Sequence, residues 1–156
     1  MYQPPRPSAL TALAADTRGE REAALHALHV LEYALAAPAP RRQRTWLHRV
    51  TVAIEALHHA LIAQLPKSDG EVGLLDEIAL AHPDYYTRVQ QLHSELRDLI
   101  IKVASLRETI EPEPTIAIDP TFVRDRLSQL TRQFRDHQAH EADLVYEAIG
   151  TELDKK

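Results

Sequence analysis

The sequence predicts an all-α protein, an up-down-up-down four-helix bundle with a short extra helix between its second and third long helices. Three observations lead there. Nearly all of the 10 prolines fall in four places: the N-terminal arm, "APAP" at 37–40, "HPD" at 82–84 and "EPEPTIAIDP" at 111–120. Proline lacks an N–H and clashes inside a helix, so these places read as boundaries. Between them apolar residues recur at three and four, as in Leu47, Val50, Ile54, Leu57, Leu61, Leu65 and again in Val89, Leu92, Leu96, Leu99, Val103, Leu106; that is the period of one helix face. Long segments of this kind joined by short proline turns favour a bundle of antiparallel neighbours.

The elements follow in order. The first helix is expected from Thr17, where Thr17-x-x-Glu20 fits a capping box, to Ala37. The second covers 41–65. After "PKSDG", Ser68-x-x-Glu71 caps a short helix through "LLDEIAL". The third long helix opens on Pro83 and runs to Ile110. Asp119 is placed as N-cap of the fourth, with Pro120 next and Gly150 as its stop. Only "TIAI" at 115–118 has strand character, and it is too short to found a sheet. Residues 1–16 are read as an arm, 17–150 as the bundle and 151–156 as a tail.

Composition narrows the function. At 156 residues the chain is one domain with a single core. With no cysteine, disulfides, thiolate metal sites, iron–sulfur clusters and thiol nucleophiles are excluded, so any metal would be held by nitrogen and oxygen. A net charge of −5 argues against a nucleic-acid partner, and the short basic run "RRQR" at 41–44 reads as a solvated helix start. No apolar run approaches the ~20 residues of a membrane span, and "MYQPPRPSAL" lacks the order of a secretory signal, so a cytoplasmic protein is expected. There is no Gly-rich phosphate loop, G-x-S-x-G or HExxH. No nucleophile and base can be singled out and aromatic content is 5%, which leaves an enzymatic role little support.

The 9 histidines are the functional hint. At about 100° per residue His58 points with Ile54, Leu61 and Leu65, His93 with Val89, Leu96 and Ile100, and His137 with Leu130, Phe134, Glu141 and Leu144. Three helices thus direct one imidazole each inward. Ligands on antiparallel helices meet only at equal depth, at about 1.5 Å per residue. By that count His93 and His137 can face each other, and His58 is offset from His93 by about 5 Å. On the first helix Glu22, His26 and His29 compete, and the sequence leaves the choice open. Glu141, one turn past His137, gives an H-x-x-x-E pair able to hold one ion. Asp143 and Glu147 read as solvated; His48, His59, His82 and His140 read as surface or capping residues.

With "LHVLEYAL", "ALHHALIAQL", "GLLDEI", "VQQLHSELRDL" and "FRDHQAHEADLVYEA" in these places, residues 18–150 resemble the hemerythrin-like, or HHE cation-binding, family. The resemblance implies a non-haem di-iron centre that binds or senses dioxygen or handles iron. Carried over by position, its ligands would be His26 or His29, His58, His93, His137 and Glu141. The pattern departs from the family in two places. Ile62 stands one turn after His58 where a glutamate belongs, and Arg97, a permanent cation, stands one turn after His93. Glu55 or Glu32 is the candidate replacement carboxylate. Two functions therefore compete: a metal-binding bundle with an altered site, holding one or two iron ions and dioxygen, and a degenerate bundle without metal that acts as a structural or protein-interaction module, with a protein partner or a second copy.

Overall fold

The computed structural model describes residues 9–36, 43–65, 73–110 and 119–155, and every element in them is helical. The elements are α1 (Ala9–Ala36), α2 (Gln43–Ile62), α3 (Leu74–Ala81), a 3-10 turn (Pro83–Tyr85), α4 (Tyr86–Ile110) and α5 (Pro120–Asp154). None of these helices is long and apolar enough to cross a membrane.

Several boundaries match the local chemistry. The Asp119 side chain accepts from the Thr121 N–H at 2.9 Å, and Pro120 opens α5 where its missing N–H is no loss. Pro83 opens the 3-10 turn, and α4 begins only at Tyr86. Two boundaries differ from expectation. The helix starts at Ala9, not Thr17, because "ALTALAAD" is rich in the best helix formers, and Thr17-x-x-Glu20 lies within α1. At the other end α5 continues through Gly150 to Asp154. Glycine inside a helix costs only about 1 kcal/mol, and the flanking Ala148 and Ile149, packed on α3 and α4, carry the helix onward. The Ser68–Glu71 cap, the start of the second helix at 41–42 and "TIAI" fall outside the described residues.

The long helices pack as a ring: α1 on α2, α2 on α4, α4 on α5 and α5 on α1. Cross-helix pairs give the senses. Arg88 meets Glu147, Glu95 meets His137 and Lys102 meets Gln133, so α4 and α5 run oppositely. Between α1 and α2, the Trp46 indole N–H donates to the Ala34 carbonyl at 2.9 Å. That carbonyl belongs to the last turn of α1, which has no partner within its own helix. Trp46 is thus both core filler and C-terminal cap, and Arg124 of α5 lies over its ring at 5.0 Å.

The core has two parts. The larger joins α1, α2, the C-terminal half of α4 and the N-terminal half of α5, with Leu28, Leu31, Val50, Ile54, Leu57, Val103, Leu127 and Phe134 almost wholly buried. The smaller is built by Leu74 and Ile78 of α3, Val89 and Leu92 of α4, and Leu144, Val145 and Ala148 of α5. α2 has 20 residues against 35 in α5, about 30 Å against about 52 Å. The end of α5 beyond the reach of α2 is covered by α3 instead, which packs on α1, α4 and α5. This places a seam between Leu92 and Leu96 on α4, and between Phe134 and Leu144 on α5.

Candidate functional site

His137 occupies that seam. It is 3% exposed, one turn beyond the buried Phe134, as its place in the apolar stripe predicts. Its Nδ1–H donates to Glu95 Oε2 at 3.0 Å, and the exposed His140, one turn along, donates from Nδ1 to Glu95 Oε1 at 3.2 Å. Two imidazoles of α5 therefore grip both oxygens of one α4 carboxylate. The His137 Nε2 atom is buried without a hydrogen bond, with Glu141 Oε2 at 3.7 Å. Glu141 is itself in ion-pair contact with Arg21 of α1. Glu95, His137, Glu141 and Arg21 thus form a polar chain from α4 through α5 to α1.

The other candidates are engaged elsewhere. His93 Nε2–H donates to Asp76 of α3 at 2.9 Å. On α4, His93 and Glu95 lie about 200° apart around the axis, so His93 turns toward α3 while Glu95 turns toward α5. The expected facing of His93 and His137 is corrected accordingly: His93 turns to Asp76, and the pairs Arg88–Glu147 and Lys102–Gln133 put it level with Ala142, about 7 Å along α5 from His137. His58 of α2, half-buried, accepts at Nδ1 from Arg107 Nη1 at 3.4 Å. Arg107 is fourteen residues past His93 on α4, about 21 Å along the helix. That overturns the offset of about 5 Å expected from counting to a shared turn. The reason is α3: the chain between α2 and α4 holds a packed helix, so depth measured from helix ends does not carry across it.

The α1 candidates do not reach the interior. His26 and His29 are both exposed, as is Glu22. Glu55 is exposed, and Glu32, at the rim, is in ion-pair contact with Arg135. Arg97 is exposed and does not enter the interior. His82, expected at a surface or cap, does cap α3, its backbone N–H donating to Ile78 O at 2.8 Å, yet its ring is buried against Tyr85. Asp143 and Glu147 are exposed as expected, Glu147 bidentate with Arg88.

Metal ligands on one ion sit about 2.0–2.2 Å from it, so the donors must lie within a few ångströms of each other. Among the described residues no group of three or more His, Cys, Asp or Glu could hold a metal ion. The set His58, His93, His137, Glu141 with His26 or His29 is dispersed into separate pairs and does not fit a di-iron centre. Sequence reasoning missed the partners Asp76, Glu95, Arg107 and Arg21. Only His137-x-x-His140 was a visible signal, since residues three apart share a helix face.

Burial and the neighbouring Arg107 together set the behaviour of His58. Burial, then the Arg107 charge, then His59 push the His58 imidazole below its ordinary value near 6.5. A base whose folded pKa is depressed is protonated first in the unfolded chain, so its contribution is intact above about 6.5 and is lost as pH falls toward the lower folded value. We expect the stability difference between the native protein and His58→Gln, from urea unfolding, to shrink between pH 7.5 and pH 5. A difference independent of pH contradicts this placement. Comparison with known proteins returns no matching family model, no matching curated protein and no matching solved structure.

Proposed function

We propose that this chain is an up-down-up-down bundle of hemerythrin-like type that has lost its cation centre and works as a structural or protein-interaction module, not as an enzyme. The observation that carries the reading is the fate of the ligand positions. His58 is taken by Arg107, His93 by Asp76, His137 by Glu95 and Glu141 by Arg21. Each pair ties two helices together, which is what interior polar residues do when they serve packing geometry instead of coordination. Guanidinium groups stand beside His58 and Glu141, where a cation would meet repulsion.

One observation favours a second reading, a single cation held by His137 and Glu141: the Nε2 atom is buried and lacks a hydrogen bond, with a carboxylate oxygen nearby. Thermal unfolding in Zn(II), Mn(II) and anaerobic Fe(II) decides between them. A ligand at a hundred times its Kd stabilises by about 2.7 kcal/mol, about 5–10 °C in a chain of this size. The module reading expects a shift indistinguishable from that in Mg(II). A rise of several degrees that His137→Ala abolishes establishes the cation reading.

A further inference from the structure

The outer face between α4 and α5 carries a groove of about 670 Å³, open to solvent, on the side of the larger core. Its floor includes Leu106 and Leu130, and the apolar side chains of Ile101 and Phe122 stand 66% and 43% exposed along it. Ile101 and Phe122 stand toward opposite ends of the groove, with the nearly buried Leu106 and Leu130 between them. The groove runs from Asp98 to Thr109 on α4, about 16 Å, or three helical turns.

Its charge is the opposite of the molecule's. The chain as a whole carries −5, yet the charged lining residues are Lys102, Arg126 and Arg132 against the single carboxylate of Asp98. Lys102 already holds Asp98 at 2.8 Å and Gln133 at 3.1 Å. That leaves two guanidinium groups beyond balance: Arg126, stacked over Phe122 at 5.2 Å, and Arg132. A basic rim over an apolar floor of three turns selects an occupant with acidic flanks and an apolar stripe at helical spacing.

We propose that the α4–α5 groove binds an acidic amphipathic helix of another protein, with Ile101, Leu106, Phe122 and Leu130 receiving its apolar stripe and Arg126 and Arg132 its carboxylates. The proposal rests on the module reading above and gives that module its docking face. No residue of the His137 seam takes part, so the two are tested apart: metal content judges the first, peptide binding the second.

The probe is a fluorescein-labelled, three-turn helical peptide with leucines at i, i+3, i+4, i+7 and glutamates beside them, titrated with the full chain by anisotropy at low salt. A counterpart with lysine for every glutamate, a scrambled acidic peptide and a single-stranded oligonucleotide are the controls. The acidic peptide is expected to bind at least tenfold more tightly than either peptide control. Arg126→Glu with Arg132→Glu, both exposed changes, is expected to reverse the preference toward the lysine peptide, with the helical circular dichroism unchanged. Equal binding of acidic and basic peptides, an unmoved preference in the double variant, or no saturable binding of the acidic peptide overturns the proposal. So does tighter binding of the oligonucleotide, or concentration-dependent dimerisation that the double variant removes, since each assigns the groove a different occupant.

Discussion

Phe134→Ala is expected to lower the unfolding free energy by about 3–5 kcal/mol, the cost of emptying a wholly buried aromatic site. Phe134 is 1% exposed and is the large side chain of α5 nearest the seam where the two apolar clusters meet. Its loss removes packing from the larger core and opens a void one turn from His137. Single domains of this size commonly have about 5–15 kcal/mol in total, so the loss is a substantial part of native stability. Urea unfolding followed by circular dichroism measures it. A loss below about 1 kcal/mol means that the site collapses and that the seam is less tightly packed than described.

The second large effect belongs to His137 and Glu95. His137→Ala is expected to cost about 2–3 kcal/mol, because it leaves a void and strips Glu95 of its buried partner. Glu95→Ala orphans the Nδ1 of a ring that is 3% exposed. If the pair is the joint between α4 and α5, the double variant costs less than the sum, by about 1–2 kcal/mol. His29→Ala, on the exposed face of α1, is the control and falls within about 0.5 kcal/mol of the native protein. Additive losses at 137 and 95 contradict the clasp.

Much of the fold was legible because it is written locally. Val50, Ile54, Leu57 and Leu61, and the run Val89 to Leu106, are buried as their spacing requires. Asp119 and Pro120 start α5 through contacts within four residues. His137 was legible as an inward residue for the same reason. Two local signals misled, the capping box within the alanine-rich start of α1 and Gly150 inside α5, since neighbouring propensity and packing outweigh about 1 kcal/mol at one position.

The site was less legible because it depends on register between helices. Whether His93 meets His137 or Asp76 turns on a rotation around α4 that periodicity fixes only against a known set of neighbours, and α3 is the neighbour that counting did not place. His58 meets Arg107 for the same reason. The partner carboxylates and guanidiniums sit at flanking positions, neither fully inward nor outward, where helical periodicity alone does not fix which neighbour a side chain reaches.

Elemental analysis of the purified chain tests most directly whether these histidines fasten helices to one another or hold a cation. Protein expressed in iron-, zinc- and manganese-supplemented medium is expected to carry far less than one metal per chain, with the same trace level in His137→Ala. One or two equivalents of a single metal in the native protein, lost together in the His137→Ala and Glu141→Gln variants, would contradict the account.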